Sequence, residues 1–206
     1  MKITIEHISK RFQKYWIFKD VSFAFTPGNA CSLLGANGSG KSTLLRIIAG
    51  MQTPSRGKVI YEHDNGQPVA AGDIFSNISF CAPGQEIVEE LTLREFFEFH
   101  FSFKKPLAGL RIPDIIALTG LKDAVDKPIG DYSSGMKQRV KLAQAIFSDT
   151  PVLFLDEPCT NLDLQGVDQY RTWMEEFGKN RLTLVASNDV REYFFCSEQI
   201  VLEDYK

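Results

Sequence analysis

The sequence contains few cysteines, and none of them are paired in a motif. Cys31, Cys81, Cys159 and Cys196 lie far apart along the chain and form no C-x-x-C pair. This spacing argues against both a zinc site and a disulfide framework. We therefore interpret the four side chains as reduced thiols of a cytosolic protein.

Long apolar runs and an excess of positive charge are also lacking. No stretch approaches the roughly 18 apolar residues that a membrane-spanning helix needs, and the first residues, MKITIEHISK, contain no apolar signal core. We expect a chain that does not cross a membrane by itself. The net charge of −3 excludes a general attraction to nucleic acid, so any bound anion must be held by local groups.

The first part of the chain is rich in short β-prone segments. Strands are predicted at residues 3–8, 21–25 and 30–34, and a helix follows at 42–50. The next segment, GKVIYEH, again favours a strand. An apolar strand followed by a loop and a helix is typical of a parallel sheet.

Helical patterns dominate the middle of the chain, where residues 91–147 predict an inserted helical subdomain. Strands are predicted again at 152–155 and 182–186, separated by a helix that ends at Gly178. Hydrophobic residues make up 44% of the chain, which is enough for a folded core. The prediction is an α/β fold with an inserted helical part.

The segment GANGSGKS, residues 35–42, fits the phosphate-loop pattern G-x-x-x-x-G-K-[ST]. Its glycines allow the backbone to wrap phosphates with its N–H groups pointing inward. Lys41 adds positive charge at the β and γ phosphates, and Ser42 can ligate Mg²⁺. A plain glycine-rich turn is the alternative, but the predicted strand before the loop and the helix after it favour a nucleotide site.

The segment PVLFLDEP, residues 151–158, is an apolar run that ends in two carboxylates. A buried parallel strand presents acids at its carboxyl end in this way. Asp156 suits Mg²⁺, directly or through water. Glu157 points in a different direction and can orient or deprotonate an attacking water.

A second anion site is predicted at DYSSGMKQRVKLAQAIF, residues 131–147. Here two serines and a glycine open an amphipathic helix, so that hydroxyls, backbone N–H groups and the helix dipole are available to a phosphate. A helix cap without any ligand is the alternative.

Taken in order, these motifs resemble the nucleotide-binding subunit of an ATP-binding cassette (ABC) transporter over nearly all of the chain. The phosphate loop, the signature-like YSSGM, the acidic strand end and a D-loop-like NLD at 161–163 follow the order of that family. The resemblance implies a P-loop NTPase with a RecA-like core, a mixed or parallel sheet, an N-terminal antiparallel β part and an inserted helical subdomain. It implies a single domain, 1–206, with its core at 1–86 and 148–206 and its helical signature subdomain at 87–147.

The resemblance also assigns roles to individual residues. Glu157 and Lys41 would be catalytic, together with Asn188, and Ser42, Asp156 and Gln85 would hold Mg²⁺. ATP would be bound by Phe12, Gly35, Asn37, Gly38, Ser39, Gly40, Lys41, Ser42 and Thr43. In this family ATP lies between two subunits, so Ser133, Ser134 and Gly135 would close over the γ-phosphate bound by a second copy.

Three segments depart from the family pattern. The signature is usually Leu-Ser-Gly-Gly-Gln, whereas here Ser134 replaces a glycine and the glutamine is lost. Asn188 stands where the family has a histidine, and it can neither become cationic nor relay a proton. An alignment without gaps puts Pro83 at the family glutamine, with Gln85 two residues later.

Phe12, near Tyr15 and Trp16, matches the aromatic residue that stacks on adenine, and core packing is its alternative role.

The sequence therefore predicts an ATP-hydrolysing subunit whose head-to-tail dimerisation drives a separate transmembrane permease. We expect a homodimer without nucleic-acid partners, located in the cytoplasm and held at the inner face of the membrane by the permease. Phe99 and Phe103 are candidates for the groove that contacts the membrane subunit, or else they pack within the helical subdomain. The alternatives are a weakly active cassette paired with another subunit, a soluble ABC protein outside transport, and a P-loop kinase.

Overall fold

Residues 1–206 are all described by the computed structural model, and their contacts divide them into two units. The first unit comprises Met1–Phe80, Pro151–Glu157 and Asn180–Lys206. The second comprises Cys81–Thr150 and Pro158–Lys179. The chain therefore leaves the first unit and returns to it twice.

An antiparallel sheet of three strands belongs to the first unit. It consists of β1 (Lys2–Phe12), β2 (Tyr15–Phe25) and β4 (Arg56–Glu62), with β1 in the middle. The first two strands are longer than the predicted 3–8 and 21–25. His7 and Asp20 have positive φ angles of 53° and 59°, and the register shifts beside them break the alternation of apolar residues that predicts a strand.

The second sheet contains β3 (Ala30–Leu34), β5 (Ile78–Cys81), β6 (Val152–Asp156), β7 (Leu182–Ala186) and β8 (Glu198–Val201). The strand order is β5-β6-β7-β3-β8, and the pairs β6–β7, β7–β3 and β3–β8 are parallel. Every residue of β6 and β7 is buried, as expected for central parallel strands. The predicted α/β fold with a parallel sheet and an N-terminal antiparallel part is confirmed.

Three helices of the first unit follow strands or loops of these sheets: α1 (Lys41–Ile48), α2 (Ile74–Asn77) and α7 (Val190–Tyr193). Helix α1 starts directly after the loop that leaves β3. Its Leu44, Leu45 and Ile48 are fully buried in a core shared with both sheets. This burial fixes the start of α1 at the carboxyl end of β3.

The second unit contains α3 (Leu93–Phe103), α4 (Ile112–Thr119), α5 (Ser134–Ile146) and α6 (Leu164–Phe177). Helix α3 begins with a capping box, in which Thr92 and Glu95 each bind the backbone N–H of the other. Phe147, which follows α5, is fully buried and packs edge-on against Trp173 of α6, with ring centroids 5.1 Å apart. Such aromatic pairs contribute about 0.5–1.5 kcal/mol beyond burial and hold α5 against α6.

Helix α3 has one buried and one exposed apolar face. Leu93, Phe96 and Phe97 are buried, whereas Phe99 and Phe103 are 52% and 70% exposed, and their rings pack against each other. Phe99 and Phe103 therefore do not pack in the core of the helical subdomain, which is the second role considered for them. None of the helices combines the length and the apolar character that crossing a membrane requires.

Candidate functional site

A cavity of about 270 Å³ lies in the first unit where β3 passes into α1. Its walls bring together the phosphate-loop residues, the aromatic residue of β1 and the acid that follows β6. The lining residues are Phe12, Ile17, Asn37, Gly38, Gly40, Lys41, Ser42, Thr43 and Glu157. Residues that were predicted to form the nucleotide site, from three distant segments of the chain, thus line one cavity.

The N-terminus of α1 forms one wall of this cavity and has no cap from the protein itself. Gly40 is the N-cap residue, its φ angle is 109°, and no side chain accepts a hydrogen bond from the first turn. The first turn also lacks an acidic residue. Backbone N–H groups and the positive end of the helix dipole are therefore available to an anion.

Lys41 brings a buried positive charge to the cavity. Its Nζ donates to Gly35 O at 2.6 Å and to Ala36 O at 3.3 Å, and the side chain makes no salt bridge. The two neutral carbonyl groups accept two of its three protons, and the carboxyls of Asp156 and Glu203 interact with its charge without contacting it directly. A bound phosphate would supply a negative charge in direct contact with Lys41.

Ser42 and Asp156 meet at the end of β6. Ser42 Oγ donates to Asp156 Oδ1 at 2.8 Å, and Asp156 is almost completely buried. Burial raises the pKa of this carboxyl, although the bond from Ser42 opposes the rise. A buried carboxylate beside a hydroxyl is a suitable pair of oxygen ligands for Mg²⁺, which would also neutralise the charge.

Glu157 follows β6 in a conformation that is unusual for its residue type. Its φ angle is 43°, in the left-handed region, and its backbone N–H donates to Ala186 O of β7 at 2.9 Å. A residue with a Cβ adopts this conformation at a cost of about 1–2 kcal/mol. The turn separates Glu157 from the buried Asp156 and brings it to the wall of the cavity.

Asn188 contacts the phosphate loop from the segment after β7. Its Oδ1 lies 3.4 Å from the N–H of Gly35, and its Nδ2 lies 3.3 Å from Asn37 Oδ1. The amide at the position of the family histidine therefore binds the phosphate loop itself.

A second cavity, of about 350 Å³, lies in the second unit at the start of α5. It is lined by the predicted second anion site and the NLD segment: Ser133, Ser134, Gly135, Met136, Arg139, Asn161, Leu162 and Asp163. Ser133 caps α5 by accepting a bond from Met136 N–H at 3.3 Å. A Cβ on Gly135 would lie 2.9 Å from the carbonyl oxygen of Asn161, so only glycine allows the two segments to approach this closely.

A family model described as ABC transporter matches residues 18–160. The chain belongs to the ABC transporter family. The "Sulfate/thiosulfate import ATP-binding protein CysA" of Synechocystis is 34% identical over 98% of this chain, which spans 58% of that relative. The chain spans about three fifths of several curated relatives that it matches.

Another relative, the "ABC transporter ATP-binding protein NatA" of Bacillus subtilis, is 28% identical over 92% of this chain and 80% of its own length. Among solved structures, a bacterial ABC transporter cassette described as dimeric aligns with a TM-score of 0.80 at 20% identity, covering 97% of this chain and 93% of that one. At this identity the likeness shows that the ABC cassette fold is shared.

Two other predicted site residues of this ABC protein, Phe12 and Gln85, lie in different units. Phe12 lines the first cavity and is 49% exposed, so a ring face is available there. Gln85 belongs to the second unit, where its Oε1 is buried without a hydrogen-bond partner. The roles of Phe12 in adenine stacking and of Gln85 in metal binding stay predictions.

The structure also shows contacts at both cavities that the sequence analysis did not identify. Arg139 binds Asp163 at 3.1 Å beside the second cavity. Glu203 accepts a bond from the N–H of Ala36 in the phosphate loop. No local motif marks either contact, because each joins residues far apart in the chain.

Proposed function

We propose that this chain binds and hydrolyses Mg-ATP, and that its nucleotide cycle drives a separate membrane subunit. The observation that carries the proposal is one cavity that contains the uncapped start of α1, with its first residues Lys41 and Ser42, together with Glu157. The relatives, which are named as ATP-binding proteins of transporters, support the same conclusion.

The residues of the cavity divide the chemistry among them. The loop N–H groups and Lys41 bind the phosphates, and Ser42 with Asp156 would hold Mg²⁺, which supplies positive charge to the phosphate oxygens when bound. Glu157 orients the attacking water and accepts its proton. Most of the rate gain comes from positioning and electrostatic stabilisation of the transferred phosphoryl group.

We also propose that two copies associate head to tail. The second cavity offers hydroxyls and the start of α5 to an anion, and Ser133, Ser134 and Gly135 would bind the γ-phosphate held by the other copy. The dimeric cassette among the solved structures supports the association of two cassettes. The membrane subunit would then hold the dimer at the cytoplasmic face of the membrane.

A cassette paired with a different ABC subunit is a second candidate. The observations that favour it are Ser134 in place of the signature glycine and Asn188 in place of the histidine. Both changes weaken the γ-phosphate contacts expected of a self-sufficient homodimer. Hydrolysis per mole that rises with protein concentration would support self-pairing, and a flat, low rate would support the mixed pair.

The deciding experiment is light scattering of Glu157→Gln protein with and without Mg-ATP. This variant blocks water activation and should accumulate a nucleotide-bound dimer. Adding Ser134→Glu provides the control: an acid is tolerated at the start of a helix, but it repels a phosphate at the second cavity. A dimer in the first variant and a monomer in the double variant would support the proposal. A Glu157→Gln monomer that binds ATP would contradict the homodimer.

A further inference from the structure

Residues Leu202–Tyr205 form a 3₁₀ turn directly after β8, and Glu203 of this turn binds the phosphate loop. Leu202 is completely buried in the core of the first unit, and Tyr205 packs against the same core. The two apolar side chains anchor the turn, while the intervening Glu203 and the following Lys206 are exposed. Both charged side chains reach the loop.

Glu203 binds the beginning of the loop. Its Oε1 accepts a hydrogen bond from the N–H of Ala36 at 2.6 Å, and this bond is the main reason that the pKa of Glu203 is lowered. Gly35 lies against the same carboxylate, and a Cβ built on it would be 2.7 Å from Glu203 Oε2. The first glycine of the loop therefore leaves room for this acid as well as for the sharp turn of the backbone.

Lys206 binds the middle of the loop and the neighbouring strand. Its Nζ donates to the carbonyl oxygen of Ser39 at 2.9 Å and to that of Ile17 at 3.1 Å. Ile17 belongs to β2 and lines the nucleotide cavity. One ammonium group thus joins two walls of the cavity through their backbone.

Neither Ala36 nor Glu203 lines the cavity itself, so the carboxylate lies outside the space available to a nucleotide. A phosphate loop binds tightly only if its N–H groups already point inward, because ordering the backbone on binding costs free energy. Hydrogen bonds from residues outside the cavity can order the loop backbone before the nucleotide binds.

We propose that Glu203 and Lys206 are positioning residues that hold the phosphate loop in its nucleotide-binding conformation. The inference rests on the proposed function, since it concerns binding at the same loop. It assigns a role in nucleotide affinity to the turn after the last strand, whose residues do not line the nucleotide cavity.

The test compares Glu203→Gln with Glu203→Ala by calorimetric titration with ADP. Both variants remove the charge, but only glutamine still offers an oxygen to the N–H of Ala36. We expect Glu203→Ala to bind ADP about threefold to tenfold more weakly than Glu203→Gln. Asp204→Ala is the matched control, because Asp204 is an exposed acid of the same turn that makes no hydrogen bond to the loop.

Two further readouts separate positioning from a general loss of structure. The melting temperature without nucleotide should be the same in the two Glu203 variants. In Glu203→Ala, KM for ATP should rise while kcat at saturation is retained, because bound phosphates then order the loop themselves. If Glu203→Ala does not fold, Lys206→Met against Lys206→Arg makes the same comparison, since only arginine still donates hydrogen bonds.

Equal ADP affinities of Glu203→Gln and Glu203→Ala would overturn the inference. If the Lys206 variants are used instead, equal ADP affinities of Lys206→Met and Lys206→Arg would overturn it. Wild-type protein that fails to bind ADP or ATP would instead overturn the proposed function, so the two failures are distinguishable.

Discussion

The Asn188 amide lies 3.3 Å from the side-chain oxygen of Asn37, which joins the segment after β7 to the phosphate loop. The oxygen of the same amide faces the N–H of Gly35. These two contacts use one N–H donor and one acceptor position of the amide, and the second N–H stays available to a nucleotide. The amide cannot carry a positive charge towards a developing phosphate charge.

We predict that Asn188→His raises the rate of ATP hydrolysis by roughly threefold to tenfold, because an imidazole can become cationic or relay a proton. The measurement is kcat at saturating Mg-ATP. Asn188→Ala is the control, since it removes the loop contacts without adding an imidazole. An unchanged or lower rate for Asn188→His would count against the prediction.

Asp156→Asn should both stabilise the protein and abolish ATP hydrolysis. Asparagine can still accept the bond from Ser42 but removes a buried charge whose pKa is raised mainly by desolvation. We expect a melting temperature about 2–5 °C higher without ligand, and loss of the additional stabilisation by Mg-ATP. Thermal unfolding with and without Mg-ATP measures both effects. A lower melting temperature without ligand would contradict this account of Asp156.

His100 should make the second unit sensitive to acid. Its Nε2 lies 2.9 Å from Ser148 Oγ, and burial, with the charge of Lys104, lowers its pKa to about 4. Between pH 6.5 and 4 the unfolded chain binds a proton on this side chain that the folded chain does not. Stability therefore decreases as the pH falls through this window, by about 1–3 kcal/mol after allowing for partial exposure.

The check is the free energy of unfolding by urea at pH 7 and at pH 4.5, in wild type and in His100→Gln. Glutamine can still donate to Ser148 but does not titrate. The variant should lose less stability between the two pH values. The carboxylates contribute equally to both proteins, so identical losses would mean that His100 is not the source.

Phe12 should contribute to affinity for the base without selecting adenine. We predict that Phe12→Ala weakens binding of ATP and of GTP alike, by about tenfold, because a ring face stacks on any base. Phe12→Tyr should preserve both affinities. Fluorescence titration with the two nucleotides makes the comparison. Unchanged binding in Phe12→Ala would leave the ring with a packing role only.

The fold predictions from the sequence succeeded where the signal was local. The glycines of residues 35–42 are consecutive with the apolar strand before them and the helix after them, so the loop between β3 and α1 could be located, and the uninterrupted apolar run of β6 indicated a buried parallel strand. The first half of β2 was missed because Asp20, with its positive φ, disrupts the alternation of apolar residues. Strands β5 and β8 have only four residues each, too few for a clear period.

Contacts between distant segments could not be predicted in this way. Glu203 is 167 residues from Ala36, and an isolated acid after a short strand has no pattern that indicates its partner. The same holds for Arg139 and Asp163, whose ion pair depends on how α5 and α6 pack. The close approach of Gly135 to Asn161 likewise depends on tertiary packing, although both residues lie in recognisable motifs.

The left-handed backbone of Glu157 has a consequence for attempts to engineer this protein. Glycine accepts such a φ angle without steric strain, so Glu157→Gly would relieve local strain while deleting the group proposed to activate water. A selection for heat resistance alone would not remove that substitution from a library. Directed evolution of this chain therefore needs a screen for turnover alongside the screen for thermostability.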